Sequence, residues 1–243
     1  MDGYVGDDGI TGAEACTLPM LTRTATPGPE LDIVHAFLDQ GICTAGAGSA
    51  VSVFCEPRLE TGFPDVVVVH WDRRTAEIWP TRRAEFTTDD VRLLHFIASV
   101  RCVARDELKC RSNARQIAQA VDRLHAAHAV KVSSRWIRIC PLREIFAVQR
   151  IIALEAKISS WRQGLQQAFV NTWFASESFL LLPRVPIGSA VVENAVRMGV
   201  GIVCADQKLS SPHLRPRQDR LPQSYASWLF NEWAWRGFGT VRT

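Results

Sequence analysis

Short apolar runs alternate with amphipathic repeats along the chain, and together they predict an α/β protein. In DVVVVHW (65–71), four consecutive valines form an apolar, β-branched run that is typical of a central strand buried on both faces. A later run, IIALEAKI (151–158), is apolar except for one glutamate and one lysine. Strands are predicted at 51–59, 65–71, 151–158, 178–183 and 200–205.

Helices are predicted around these strands and are marked by their end residues. Pro29 suits the first turn of a helix, and Gly41 ends that helix. Ser160 and Gln163 form an S-x-x-Q capping box at the start of a second helix, and Gly199 stops a third. These helices are predicted at 29–40, 161–174 and 186–198.

The segment between the valine run and IIALEAKI has a different order of elements. Thr87 or Thr88 caps a helix that ends near Val100, and a hairpin turns at Ser133-Ser134. Between them lie a short helix and a longer helix capped by Ser112 and Asn113. This order of helix, short helix, helix and hairpin is that of a winged helix-turn-helix. The two later helices are predicted at 105–111 and 113–127.

The patterns divide the chain into four parts. An α/β core is predicted from two separated stretches, 29–80 and 148–206, with the winged-helix segment, 86–146, inserted between them. Residues 1–28 are rich in Gly, Thr, Pro and Asp without periodicity, which predicts a flexible arm. Residues 207–243 are first Pro- and Arg-rich and then aromatic, which predicts a strap over the core.

Charge is distributed unevenly along the chain, and this distribution indicates the kind of partner that the protein binds. The net charge is +3, yet residues 101–150 hold 11 Lys and Arg against 4 Asp and Glu. A basic block is typical of a module that faces nucleic acid, although a solvated helical face has the same pattern. We predict DNA as the partner; the alternative is a winged helix used for packing or dimerisation. The predicted DNA contacts are Arg115, Gln116 and Gln119 of the longer helix and Arg135 and Arg138 of the hairpin.

The remaining composition indicates a cytoplasmic protein. The acidic, Gly-rich residues 1–15 do not resemble a signal peptide, and no apolar run reaches the length of a membrane span. Seven scattered cysteines without a C-x-x-C pair predict reduced thiols rather than a zinc site. Lysine is rare beside arginine, which favours a bacterial protein from a GC-rich genome.

The two charges in IIALEAKI predict chemistry at a strand end. Side chains alternate across a strand, so Glu155 and Lys157 share one face and Leu154 and Ala156 the other. Asp65 begins the valine strand, and it would meet Glu155 if the two strands are neighbours. Two close carboxylates repel each other unless a cation lies between them. Mg²⁺ or Mn²⁺ fits, with Asp65, Glu155 and the Ala156 carbonyl as ligands and Lys157 beside an attacking water.

These residues resemble the signature of the PD-(D/E)XK nuclease superfamily. Pro64-Asp65 and Glu155-Ala-Lys157 match its motif, and the predicted elements keep its order of helix, three strands, helix and strand. The likeness covers roughly 29–80 and 148–206, with about 70 residues inserted. It implies a restriction-endonuclease-like core, that is, a mixed central sheet flanked by helices, with an inserted winged-helix domain.

The resemblance also implies roles and an activity. In several branches a glutamine follows E-x-K on the next helix, which places that role on Gln167 in WRQGLQQA, and a first-helix glutamate matches Glu30. The implied activity is metal-dependent hydrolysis of DNA, with phage defence, restriction or repair as possible settings. The family often cuts as dimers, and an aromatic tail would suit a homodimer.

Alternatives remain at several of these positions. Asp65 can be a turn residue, with Glu155 and Lys157 as a strand-end ion pair. A DNA-binding regulator with an inert nuclease-like core is the second hypothesis for function, and an RNA-directed nuclease is the third. The aromatic residues of the tail can stack on bases, but packing against the core is favoured. They are Tyr225, Trp228, Phe230, Trp233, Trp235 and Phe238.

Overall fold

The structure is a computed structural model, and it describes most of the chain. The described residues are 18, 20, 22–24, 26–40, 48–109, 114–184 and 188–240. Four predicted helix-end residues, Gly41, Ser112, Asn113 and Pro186, lie outside this part.

Helices and strands follow one another in the order that the sequence predicts, with a few additions. The helices are α1 (Pro29–Asp39), α2 (Arg73–Glu77), α3 (Thr88–Val100), α4 (Arg105–Lys109), α5 (Ala114–Ala126), α6 (Leu142–Ile145), α7 (Trp161–Asn171), α8 (Ser189–Met198) and α9 (Tyr225–Thr240). The strands are β1 (Ser49–Cys55), β2 (Val66–Asp72), β3 (Cys102–Ala104), β4 (Val130–Val132), β5 (Trp136–Ile139), β6 (Val148–Ala156), β7 (Glu177–Leu182) and β8 (Gly201–Cys204). One 3₁₀ helix spans Thr81–Glu85.

A mixed five-stranded sheet, flanked by helices, forms the centre of the molecule and confirms the α/β class. The strand order is β1-β2-β6-β7-β8. The pairs β1–β2 and β2–β6 are antiparallel, whereas β6–β7 and β7–β8 are parallel. Val66 of β2 lies opposite Leu154 of β6. The predicted strands that carry Asp65 and Glu155 are therefore neighbours, despite the residues inserted between them.

The sheet buries both faces, which explains the uninterrupted apolar runs. On one face, Val34 and Phe37 of α1 pack in a cluster that includes Leu154. On the other face, Leu165 of α7 packs against Leu180. Because neighbouring residues of a strand point to opposite faces, Glu155 points to the side of α7 rather than the side of α1.

The inserted segment forms a second, three-stranded antiparallel sheet with α3, α4 and α5 against it. Its strand order is β3-β5-β4. The predicted cap of α3 is confirmed: Thr87 Oγ1 accepts a hydrogen bond from the Asp90 N–H, and Asp90 in turn accepts one from the Thr87 N–H. Asp90 is fully buried and forms a bidentate ion pair with Arg123 of α5, at 2.8 Å for both contacts. The short strand β3 was not predicted, because three residues are too few to show a period.

The aromatic tail packs against the chain's own core, as the sequence favoured. Trp228 and Phe230 of α9 are fully buried, and Phe230 stacks on Phe174, with 5.7 Å between ring centroids. Trp235 is partly buried against the same cluster, while the side chain of Phe238 is not described. One apolar cluster joins α9, one face of the large sheet and the inserted segment.

One local prediction is wrong. The capping box at the start of α7 does not form, because Ser160 adopts φ −84° and ψ 56°, away from an extended cap, and its side chain makes no capping bond. Part of the segment predicted as a flexible arm contacts the core: Leu18 is buried, and Arg23 pairs with Glu56. An apolar side chain and an ion pair hold this part of the arm on the core.

Within the residues described, no helix combines the length and the apolar character that crossing a membrane requires.

Candidate active site

Asp65 and Glu155 meet at one edge of the large sheet. Asp65 immediately precedes β2, and Glu155 is the penultimate residue of β6. The Ala156 N–H donates a 2.7 Å hydrogen bond to Asp65 Oδ2, which fixes one carboxyl oxygen of Asp65. Asn171, the last residue of α7, donates from Nδ2 to Glu155 Oε1 at 2.8 Å. Each carboxyl group thus has one oxygen fixed by the protein, and the two groups lie within hydrogen-bonding reach of each other.

Burial and mutual repulsion change the acidity of both groups. Glu155 is buried, and this burial, together with the nearby Asp65, raises its pKa to about 8 against the opposing effects of Asn171 and Lys157. The pKa of Asp65 is also raised, mainly by burial, while the Ala156 N–H and Lys157 act in the opposite direction. Two carboxyl groups that resist ionisation together are suited to a cation that would compensate their charge.

Lys157 lies just beyond β6 and reaches the same site. Its side chain is only 12% exposed, and Nζ lies 3.3 Å from Glu30 Oε2 at the start of α1. Its stem passes close to Gly164 of α7, where a Cβ would come within 2.6 Å of Lys157 Cγ. The alternative, in which Glu155 and Lys157 form a strand-end ion pair, is not what the structure shows; Lys157 pairs with Glu30 instead.

A cleft of about 580 Å³ brings the predicted catalytic residues together. Its lining includes all five of them: Asp65, Glu155, Lys157, Gln167 and Glu30. Gln167 is exposed on α7 and borders both this cleft and a smaller cavity of about 220 Å³ on the other side of Glu155. The same smaller cavity is lined by Asn171 and the turn 61–64.

The residues present fit a hard divalent cation that retains water ligands. Across the described ranges, no group of three or more His, Cys, Asp or Glu side chains is placed to hold a metal ion. The protein would therefore supply the carboxylates of Asp65 and Glu155, and the carbonyl of Ala156 is the third predicted ligand. Oxygen ligands from few side chains, completed by water and substrate oxygens, are the usual surroundings of Mg²⁺.

The predicted DNA-contacting residues lie on the surface of the inserted segment. Ala120, Val121 and Leu124 form the buried face of α5. The exposed predicted residues are Arg115, Gln116 and Gln119 on α5, with Arg135 and Arg138 at and within β5. Trp136 lies between those two arginines and is 52% exposed. Each of these residues is therefore accessible, and their contact with DNA stays a prediction.

Four residues of the site were not identified from the sequence. Asn171 and Gly164 lie on α7 at a spacing that brings both to the face towards β6, and only the contacts reveal their roles. Arg23 and Glu56 also line the cleft. Glu56 precedes the turn that leads to Asp65, where a charged side chain usually faces solvent, yet it is buried. The helical position of Asn171 relative to Gln167 (i, i+4) is the one signal that the sequence offered.

Comparisons of the chain with models of protein families, with curated proteins and with solved structures give no match.

Proposed function

We propose that the protein is a metal-dependent nuclease of the PD-(D/E)XK type, which hydrolyses phosphodiester bonds of DNA. The observation that carries this proposal is the meeting of Asp65 and Glu155 at one sheet edge, in a cleft that also contains Lys157. Three residues that the motif requires come from positions up to 92 apart in the chain, and an accidental motif would not be expected to converge in this way.

The order and pairing of the elements also support a restriction-endonuclease-like core. Helix α1 precedes three antiparallel neighbours, β1, β2 and β6, and α7 then connects β6 to the parallel strand β7. The order of these elements is the one that the sequence resemblance implies. The functional groups lie at the carboxyl end of β6, where the helix that follows can contribute Gln167 and Asn171.

The contacts of each side chain in the site indicate its role in the proposed reaction. Asp65 and Glu155 would hold Mg²⁺ or Mn²⁺, with the Ala156 carbonyl, and the bound ion would activate water and offset charge on a phosphate oxygen. Asn171 orients the carboxyl group of Glu155 through Oε1. Lys157 places an ammonium group where it can orient the attacking water or neutralise the phosphate. Glu30 holds that ammonium group in the cleft.

We assign the inserted segment the role of positioning DNA. Its elements follow the order α3, β3, α4, α5, β4, β5, which is that of a winged helix. Its exposed arginines and glutamines supply phosphate and base contacts of the kind such modules use.

The proposal is tested by incubating the purified protein with supercoiled plasmid, linear duplex, single-stranded DNA and RNA. Each substrate is tested with Mg²⁺, Mn²⁺ or EDTA, for the native chain and for Lys157→Ala. We expect cleavage of a DNA substrate that requires the metal ion and is lost in the variant. Cleavage in EDTA, or equal cleavage by the variant, would contradict the mechanism.

Two other outcomes separate the remaining hypotheses. Binding of DNA without cleavage under any metal condition would favour a regulator with an inert core. Cleavage of RNA alone would support the metal site but indicate that the substrate is RNA rather than DNA.

A further inference from the structure

The cleft contains one cation that the mechanism above does not use. Lys157 is engaged by Glu30, and among the described residues that line the cleft Arg23 is the only arginine. Arg23 comes from the segment before α1, and it shares the cleft with Asp65 and Glu155.

Arg23 is held by its backbone as well as its side chain. The Arg23 N–H donates to the Glu56 carbonyl at 3.1 Å, and Thr22 forms a β-bridge with Pro57. The guanidinium group donates from Nε to Glu56 Oε2 at 2.6 Å and lies over the Phe63 ring, 5.2 Å from its centroid. The Nη2 group contacts the same carboxylate oxygen. Such multiple contacts leave the group little freedom to reorient.

The partner of Arg23 is an unusual residue. Glu56 adopts φ 48°, in the left-handed region, which is strained for a non-glycine residue. Its side chain is only 11% exposed, whereas that of Arg23 is 51% exposed. A strained, buried carboxylate therefore supports a half-exposed cation. Backbone strain of this kind tends to persist where a side chain must be held in place for a ligand.

We propose that Arg23 is a phosphate-binding residue of this cleft, positioned by Glu56 for a DNA backbone phosphate next to the scissile bond. This rests on the proposed nuclease function and adds a substrate contact to it. A guanidinium group fits phosphate because its planar donors can bind two oxygens at once. Glu56 engages Nε and Nη2, and because the Arg23 side chain is half exposed, its other N–H donors can serve a ligand.

The charges in the cleft favour this occupant. Among the described residues, four acidic side chains line it, those of Glu30, Glu56, Asp65 and Glu155, and in their ionised form they would repel a nucleic-acid backbone. A divalent ion would compensate Asp65 and Glu155, and Lys157 already compensates Glu30. Arg23 compensates Glu56, so that the backbone next to the scissile phosphate meets a cation rather than an uncompensated carboxylate.

The test measures DNA binding without cleavage. An Asp65→Asn background removes a metal ligand but keeps an oxygen acceptor for the Ala156 N–H. In this background Arg23→Ala, Arg23→Lys and Arg217→Ala are compared by fluorescence anisotropy, with a labelled DNA duplex and its single strand over a range of salt concentrations. Arg217 is the matched control: it is an exposed arginine paired with an aspartate, Asp219, near the amino end of β8, at the opposite edge of the sheet.

We expect Arg23→Ala to weaken binding about 10-fold or more and to reduce the slope of log affinity against log salt by about one. Arg23→Lys should keep the slope and recover part of the affinity, and Arg217→Ala should change neither. Binding by Arg23→Ala that equals the control, or exceeds it, would overturn the inference. Thermal unfolding of each variant checks that the fold is retained.

The binding test of Arg23 and the cleavage test of the proposed nuclease function can fail independently of each other. If the native chain cleaves no DNA but Arg23→Ala still loses affinity, the nuclease proposal fails and the phosphate contact stands. If the native chain cleaves DNA and Arg23→Ala binds normally, only the phosphate contact fails.

Discussion

Among its single residues, the candidate site contains acidic side chains whose burial costs free energy. Glu155 is 4% exposed and faces Asp65, and its pKa of about 8 means that the protonated form dominates at neutral pH. The usual reason for a buried acid with such a pKa is a function that needs it, since an apolar residue would pack at lower cost. Asn171 reduces the cost by a hydrogen bond but does not remove it.

The raised pKa of Glu155 predicts how stability depends on pH. The folded state holds the proton up to about pH 8, whereas an unfolded glutamate releases it near 4.5, so Glu155 destabilises the fold progressively between these values. In EDTA, Glu155→Gln should therefore gain stability over the native chain, by an amount that grows from pH 5 to pH 8 and reaches a few kcal/mol. Urea unfolding at several pH values measures this difference. A difference that is constant over this range would contradict the assignment.

Among the secondary-structure elements, helix α7 positions the side chains of the candidate site. Gly164, Gln167 and Asn171 lie on the side of this helix that faces the end of β6. A glycine in a helix interior lowers the stability of the helix by about 1 kcal/mol relative to alanine. Position 164 nevertheless has no room for a side chain, because a Cβ there would meet Leu180 Cδ1 at 2.5 Å and Lys157 Cγ at 2.6 Å.

Gly164→Ala is therefore expected to impair the site in spite of the better helix propensity. The added methyl group forces Lys157 or Leu180 to move, which should destabilise the protein by about 1–3 kcal/mol and slow DNA cleavage by roughly 10-fold or more. Gly237→Ala is the matched control, since it is also in a helix and no heavy atom lies within 4 Å of its added Cβ. Unfolding and cleavage assays on both variants decide the matter. Equal behaviour of the two variants would show that Gly164 does not position Lys157.

The elements themselves could largely be predicted from the sequence, and their detailed contacts could not. Four valines in a row and IIALEAKI identify two buried strands, because only a strand covered on both faces suits such runs. Thr87 identifies the start of α3 through a local hydrogen bond. By contrast, the buried position of Glu56 follows from a left-handed φ and from Arg23, which lies 33 residues away. Contacts of this kind depend on the tertiary fold, which local patterns do not encode.

At the scale of the whole molecule, α9 joins the large sheet and the inserted segment. Glu232 of α9 pairs with Arg83 of the 3₁₀ helix at 2.7 Å, and neither side chain has any exposed surface. Arg83 also lies over the Trp79 ring, with 3.6 Å to its centroid, and donates to the Ile145 carbonyl. Because Trp228 and Phe230 are buried within the chain, the surface of a homodimer would have to come from elsewhere.

Loss of this buried ion pair should weaken the whole fold. Glu232→Ala leaves the charge of Arg83 buried without its carboxylate, and we expect it to lower the free energy of unfolding by about 3–5 kcal/mol. Glu85→Ala, which breaks the exposed pair with Arg82, should cost less than about 1 kcal/mol. Chemical denaturation of the two variants measures both values. A small effect of Glu232→Ala would show that other contacts of α9 hold it in place without this ion pair.

The proposed nuclease function requires Glu155 to belong to a metal-dependent hydrolytic site. Its most direct test is the rate at which supercoiled plasmid is cleaved in Mg²⁺ by the native chain, Glu155→Gln and the control Glu60→Gln. Glutamine keeps the shape and the oxygen acceptor for Asn171 but cannot ionise to bind a metal ion, and Glu60 is an exposed acid near the same turn. We predict that Glu155→Gln cleaves on the order of 100-fold more slowly or not at all, while Glu60→Gln cleaves at the native rate. Cleavage by Glu155→Gln at the native rate would show that Glu155 is not part of the hydrolytic site.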